Sequence, residues 1–371
     1  MNPGFRFDLF GPLAAGGPRR GTMCFPRGQV VQTPAFLAVA TQATVKALDP
    51  ERYVELGGQA IISNTYHLFL RPGHELIRRL GGLHRFMGFG GAILTDSGGF
   101  QSMSLGKLVK IGDEGISFRS HLDGGAHLFT PEIVVDIQSA LGSDVVLPID
   151  VCAAGSATAA EQRLAMNRTV AWAKRTRQCP LSPEQAMFGI VQGGFEESMR
   201  LECASAIAEL GFDGHAIGGL SVGEERSRTI DTARLTAAAL PADRPRYVMG
   251  MGRPWEVVEL VDAGVDLMDC VLPTRMARNG RALTSCGELN LRNARFRDDP
   301  APLDPVCTCG ACARFSRAYL RQLCMAREIF GMMLLTEHNV CTYLHLFARI
   351  RQAIEAGTFS DLKREAQSWK Q

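Results

Sequence analysis

Long apolar runs are missing from this chain of 371 residues. No stretch reaches the roughly 18 residues that a membrane-spanning helix requires, so no membrane partner is expected. The N-terminus (MNPGFRFDLF) has no basic segment leading into an apolar one. No secretory signal is therefore read, and a cytoplasmic location is expected. Internal repeats and low-complexity segments are absent too, and no composition points to disorder. Cysteine is present but in no paired pattern: the eleven are scattered and odd in number, as expected of reduced thiols rather than a disulfide frame. Lysine is missing from one basic stretch. Residues 275–327 hold ten arginines against four acids, a local +6 that leaves −4 for the rest of a chain of net charge +2. Arginine is the residue suited to bidentate phosphate contacts, although such runs also serve as plain solvated surface.

What is present is a repeated punctuation. Six apolar runs stop at a polar residue or a glycine: AILT at Asp96, DVVLPI at Asp150, FGIV at Gln192, HAI at Gly218-Gly219, YVM at Gly250, and VDLM at Asp269. Short buried strands that end in chemistry indicate parallel α/β architecture, where sites form at strand C-termini. Residues 1–45 read as β-rich and irregular, with breaks such as GPLAAGGPRR, and the strand–helix alternation is expected from about Lys46. Thr130-Pro131-Glu132 opens a helix with a hydroxyl cap, an early proline and an acid near the positive dipole end, and Gly142 closes it. With IISN included there are seven strand candidates, and residues 282–290 (ALTSCGELN) are the candidate for an eighth. Eight parallel strands predict an α/β fold, a (β/α)8 TIM barrel. An open doubly wound sheet is the competing arrangement. A single catalytic domain over 1–371 is expected, with a zinc-binding subdomain at 292–345 inserted near the C-terminus. An amphipathic helix carrying Val340, Leu344, Phe347, Ile350 and Ile354 on one face is expected to close the chain, with Gly357 ending it.

Cys307-x-Cys309-x2-Cys312 and His338 supply three thiolates and an imidazole, the donor set of a closed structural zinc site. His345 and Cys324 are alternatives for the fourth position. His338 is preferred because it is placed at the start of the last helix. Any single strand-end aspartate is most simply a helix N-cap. Three of them on one sheet, with no Gly-rich phosphate loop nearby, point to a shared pocket. Paired carboxylates suit chemistry through an oxocarbenium-like sugar, one as nucleophile and one handling protons. Asp150 can accept the two parallel N–H bonds of a guanine edge, with Gln192 and the Gly219 N–H meeting the base carbonyl and ring nitrogen. Phe100 and Met249 are placed to clamp a flat ring, or simply to pack in the core.

TDSGGFQ, FRSHLDG, VQGG, GGLSVGE, MGMGRP, DCVLPTR and the CxCxxC…H set, in order and correctly spaced from about Phe5 to the last helix, resemble the queuine tRNA-ribosyltransferases of the bacterial type, the tRNA-guanine transglycosylases. The resemblance implies a zinc-bearing barrel with one structural Zn2+ per subunit, a homodimer, and no organic cofactor. It implies exchange of the wobble guanine in tRNAs with GUN anticodons (Asp, Asn, His, Tyr) for preQ1 (7-aminomethyl-7-deazaguanine), in queuosine biosynthesis. In that reading Asp269 is the nucleophile at ribose C1′, and Asp96 is the general acid/base. Asp96, Ser97, Gly98, Gly99, Phe100, Asp150, Gln192, Gly218, Gly219 and Met249 hold the substrate. Gly250, Met251, Gly252, Arg253, Pro254, Trp255 and Glu256, with Thr274, Arg275, Met276, Ala277 and Arg278, meet the anticodon loop. Single-stranded loop bases are what proteins read in RNA, and a base in such a loop leaves its stack at little cost.

Two positions depart from the bacterial pattern: Val151 replaces a usual Glu, and Ser221 a frequent Ala. Cys152 and Val222 follow it, and Val222 would narrow the pocket against the cyclopentenediol of queuine. The resemblance therefore favours preQ1, with queuine salvage as the alternative. A non-catalytic tRNA-binding subunit would lack the nucleophile, and the intact DCVLPTR opposes it. A relative acting on DNA is disfavoured by the anticodon-contact segment and the zinc set. The extra C-terminal RNA-binding domain of archaeal relatives is not read.

Overall fold

The protein is described by a computed structural model covering residues 2, 4–11, 16–105 and 108–370. Residues 12–15 of the Gly/Pro-rich break lie outside that description. Eight parallel strands close into a barrel: β1 (Ala35–Val39), β2 (Ala60–Asn64), β3 (Ala92–Asp96), β4 (Val145–Val146), β5 (Ala186–Val191), β6 (Gly214–Ile217), β7 (Arg246–Val248) and β8 (Leu267–Cys270). Each strand pairs with the next in sequence, and β8 pairs with β1 to complete the ring. Helices fill the connections, so the barrel reading holds and the open sheet does not.

Period-two alternation decides which side each residue faces. Ala35, Leu37, Ile62, Leu94, Phe188, Ile190, Ala216 and Tyr247 fill the barrel interior, while Phe36, Ala38, Ile61, Ile93, Met187 and Ile217 pack outward. An N-terminal antiparallel sheet of Arg6–Phe10, Arg20–Cys24 and Val30–Thr33 adds Phe5, Met23, Phe25 and Val31 to the interior cluster. The expected β-rich start is thus a plug against one end of the barrel.

At that end, three aspartates stand just before strands and cap their neighbours. Asp144 accepts the Ile93 N–H (2.7 Å), Asp213 the Met187 N–H (3.0 Å), and Asp266 the Arg246 N–H (2.7 Å). Arg19 adds a two-pronged ion pair to the fully buried Asp266, with Nε to Oδ1 at 2.8 Å. Aspartates at strand starts here hold the fold, whereas those at strand ends face the cleft.

Several expectations need correction. The eighth strand precedes the other seven. AFLAV is apolar on both faces, as a strand enclosed between barrel interior and helices must be. Residues 281–290 instead form an antiparallel hairpin, Arg281–Thr284 with Gly287–Asn290, whose partly exposed pattern suits a wet surface. The alternation therefore starts about ten residues before Lys46. Within DVVLPI only Val145–Val146 pairs, since Pro148 has no N–H for a ladder. The Thr130-capped helix is present as read, Pro131–Leu141, with Gly142 left-handed at its end. The long amphipathic helix starts earlier than expected, spanning Ile329–Glu355, so His338 sits well inside it. A further helix, Phe359–Gln367, follows Gly357. The long helix docks on the barrel through Tyr343, whose hydroxyl donates to Gly252 O, and Tyr343 packs on Phe36 with ring centroids 5.1 Å apart.

Candidate active site

The carboxylate ends of β3, β4 and β8 converge with the loops after β5, β6 and β7. Asp269, the third residue of β8, accepts the Tyr247 hydroxyl (2.5 Å) and the Gly250 N–H (2.7 Å), and both bonds fall on Oδ1. Oδ2 receives no hydrogen bond among the described residues. One oxygen anchors the group and the other is left open to the cleft. Burial raises the Asp269 pKa above its ordinary value, against the two donors.

Asp96 ends β3. Its Oδ2 accepts Asn64 Nδ2 (2.6 Å) and its Oδ1 accepts the N–H of Thr65 (3.1 Å) and of Gly98 (3.1 Å). These donors favour the anion, yet burial, assisted by the negative charge of Asp269, lifts the pKa to about 7. The two carboxylates feel one another, and Asp96 can hold or release a proton at neutral pH, as an acid/base group must. Gly98 makes the turn possible: its φ is +73°, and a Cβ there would sit 2.8 Å from the Tyr66 backbone nitrogen.

The buried Asp96 charge has a measurable cost. The folded pKa (about 7) lies above the ordinary 3.8, so the penalty is absent at low pH and grows as pH rises from about 4 to about 7. An Asp96→Asn variant, neutral throughout, should gain stability over the parent across that window and keep a constant advantage above it. Denaturant midpoints near pH 4.5, 6 and 8 check this, and an advantage that does not widen with pH contradicts it.

Asp150 follows β4 and is buried. Gln192 Nε2 donates to its Oδ2 (2.6 Å), and burial raises its pKa to about 6 against the bonds from Gln192 and Ser97. Gly218 and Gly219 pass directly behind the Gln192 amide. A Cβ on Gly218 would lie 2.6 Å from Gln192 Nε2, and one on Gly219 would lie 2.3 Å from Oε1. The structure thus brings together the carboxylate, the amide and the glycine backbone expected to meet a base edge. Phe100 is 54% exposed, free to cover a flat ring, whereas Met249 is half-buried against the barrel interior.

The residues expected at the anticodon loop divide by burial. Gly250, Arg253 and Arg275 are exposed, and Pro254, Trp255 and Arg278 are half-open. Met251, Gly252, Glu256, Thr274, Met276 and Ala277 are buried and support the others. Glu256, for example, accepts the Arg253 N–H at 2.8 Å and so fixes the start of helix Pro254–Asp262. Of the ten arginines in 275–327, seven are exposed: Arg275, Arg281, Arg292, Arg295, Arg297, Arg314 and Arg327.

Cys307, Cys309, Cys312 and His338 place their ligand atoms within 4.8 Å of one another. His338 Nδ1 is 3.5 Å from Cys309 Sγ and 3.3 Å from Cys312 Sγ, and Nε2 bonds Leu283 O at 2.7 Å. That outer bond orients the ring with Nδ1 toward the sulfurs, as a metal-bound histidine requires. Hydrogen bonds from the surrounding thiols, Cys309 and Cys312 first, hold Cys307 far below the usual thiol range. The donor set fits zinc. His345 lies instead beside Cys341 (3.7 Å), and Cys324 is not among the clustered ligands.

Sequence reading did not single out Asn64, Thr65, Tyr247 or Arg200. IISN and YVM display the first and third as strand residues only, and nothing local marks them as partners of Asp96 and Asp269. Val151, which departs from the bacterial pattern, packs in the apolar layer between barrel and helices.

The sequence model of the queuine tRNA-ribosyltransferase family matches residues 15–370. A queuine tRNA-ribosyltransferase of Thermoanaerobacter sp. (strain X514) is 49% identical over 348 residues, 94% of this chain and 92% of that protein. One from Zymomonas mobilis is 47% identical over 368 residues, 98% and 95% of the two chains. One from Pelotomaculum thermopropionicum is 50% identical over 341 residues, 92% of each. Over nearly its whole length, then, this chain belongs to the queuine tRNA-ribosyltransferase family.

Proposed function

We propose that this enzyme, a pentosyltransferase of the tRNA-guanine transglycosylase kind, exchanges the wobble guanine of GUN-anticodon tRNAs for preQ1 by double displacement. The observation that carries the reading is the state of Asp269: Oδ1 tied by Tyr247 and Gly250, Oδ2 bare. Oδ2 attacks C1′ of the ribose, the C1′–N9 electron pair leaves with guanine, and a covalent sugar–Asp269 ester remains. The incoming base then attacks C1′ through N9, the Asp269 carboxylate leaves, and a proton departs. Asp96 supplies and takes up the protons. Asp150, Gln192 and the Gly219 N–H read the base, and Phe100 covers it. Exposed Arg253 and Arg275, with the other exposed arginines of 275–327, meet loop phosphates. Cys307, Cys309, Cys312 and His338 would hold a structural zinc, whose only contribution is to fix the C-terminal subdomain. The same reading takes the working unit to be a cytoplasmic homodimer with one zinc per subunit.

Preference for preQ1 over queuine rests on Val222. Glu224 accepts the N–H groups of Ser221 (2.6 Å) and Val222 (2.8 Å), holding that loop in place, and a Cβ on Gly155 would meet Val222 Cγ2 at 3.3 Å. A side chain wedged between two loops narrows the pocket where a ring substituent would go. In a side-by-side assay preQ1 should exceed queuine in kcat/KM by about ten-fold or more. Faster incorporation of queuine would establish the salvage reading instead.

A further inference from the structure

Arg200 lies on the helix Glu197–Ala208 after β5, and its side chain is fully buried. Nε donates to Gly194 O (2.6 Å), Nη1 to Val191 O (3.2 Å) and Gly218 O (2.8 Å), and Nη2 to Gly219 O (3.3 Å). All four partners are main-chain carbonyls, one at the end of β5 and three in the loops after β5 and β6. Among the described residues no carboxylate lies within ion-pair distance of it. Burial lowers its pKa to about 10, so it stays charged at neutral pH. A buried cation bonded only to neutral carbonyls, with Glu224 acting on it from beyond ion-pair distance, is costly. Neutral amides or water satisfy loop carbonyls at less cost, so this charge calls for a use beyond packing.

The geometry supplies one. Gly218 C=O and Gly219 N–H are the two ends of a single peptide group. A cation bonded to the carbonyl draws electron density through the peptide and makes the N–H a stronger donor. We propose that Arg200 is a positioning residue acting through the Gly218–Gly219 peptide: its guanidinium strengthens the Gly219 N–H as a donor to the carbonyl oxygen of the departing base. This rests on the reading of Gly219 as a base contact.

The chemistry makes the effect selective. As Asp269 Oδ2 bonds to C1′ and the C1′–N9 bond breaks, the electron pair enters the purine and is shared with its carbonyl oxygen. A donor strengthened at that oxygen stabilises the leaving base more than the bound one, which lowers the barrier without tightening ground-state binding much. The Gln192 amide also lies close behind this peptide. Gly219 is left-handed (φ +67°), and the Gln192 amide occupies the space that a Cβ on either glycine would need.

The test compares Arg200→Gln, which removes charge but keeps donors, with Arg200→Lys, which keeps charge but not the fork. Exchange of labelled guanine into tRNA is the assay, with folding checked by circular dichroism. Arg200→Gln is expected to lower kcat by roughly ten-fold with the guanine KM within about three-fold, less than the ~10²–10³ lost when an oxyanion donor is deleted. Arg200→Lys should recover most of kcat. A raised KM with kcat intact, equal loss in both variants, or no loss in either overturns the proposal. If neither variant folds, the wild-type enzyme decides through the infrared carbonyl stretch of bound guanine labelled with 13C at that carbonyl. A stretch below that of the base in water supports the relay, and one at or above it overturns it. Asp150→Asn keeps the two failures apart: an unchanged guanine KM there removes the base-reading pocket itself, whereas a raised KM with Arg200→Gln unaffected removes only the role of Arg200.

Discussion

Replacing Asp269 by asparagine is expected to abolish base exchange and the SDS-stable tRNA adduct while leaving tRNA affinity within about two-fold. The amide oxygen can still accept the Tyr247 hydroxyl and the Gly250 N–H that now fall on Oδ1, so the strand end and the loop after β7 keep their shape. What changes is the second position: a non-nucleophilic NH2 replaces the bare Oδ2. Removing the nucleophile of a covalent mechanism costs at least ~10⁴-fold in rate. Exchange of labelled guanine, denaturing gels of trapped reactions and a filter-binding titration measure the three quantities. An Asp269→Asn enzyme that still exchanges guanine, or still carries RNA through denaturation, refutes the double displacement.

Substituting Cys312 by serine is expected to remove the metal and loosen the C-terminal subdomain without unfolding the barrel. The hard hydroxyl is a poor zinc ligand, and structural zinc contributes ~10–16 kcal/mol in small finger domains. Here the metal is assigned to the loop Cys307–Cys312, the long helix through His338, and through Leu283 the hairpin at 281–290. The local cluster around Leu291, Phe296, Leu303, Leu320 and Leu335 is separate from the barrel interior, so the loss should stay local and exceed about 4 kcal/mol. Metal content should fall from one zinc per chain to none, and hydrogen exchange should rise over 281–345 but not in β2–β6. Retention of one zinc by Cys312→Ser would show that the ion sits elsewhere.

The limits of sequence reading are physical. Barrel strands announce themselves when an apolar run stops at a polar residue or a glycine, as AILTD, HAIGG and VDLMD do. AFLAV lacks such a stop and runs on into Ala40, so the sequence shows it as part of an irregular start, and only the pairing of β8 with β1 shows that it closes the ring. Residues 281–290 have strand propensity too, and only their wet face, invisible without a neighbour, assigns them to a hairpin. His338 is preferred from the sequence as the residue at a helix start, and that premise fails because the helix begins at Ile329; the clustering with the three cysteines comes from the fold, which turns that helix face toward the loop.

By itself, then, the linear chain determined which residues are candidates for chemistry: Asp96, Asp150 and Asp269 at or just past strand ends, and three cysteines whose spacing within six residues can wrap one ion. Those features depend on residue type and local spacing. Tertiary structure decided which aspartates at strand starts are structural caps, which oxygen of Asp269 is free, and that an arginine eight residues past Gln192 reaches the peptide behind the base site. Each of those depends on the direction of a side chain relative to a strand distant in sequence, and direction is set only when the barrel closes.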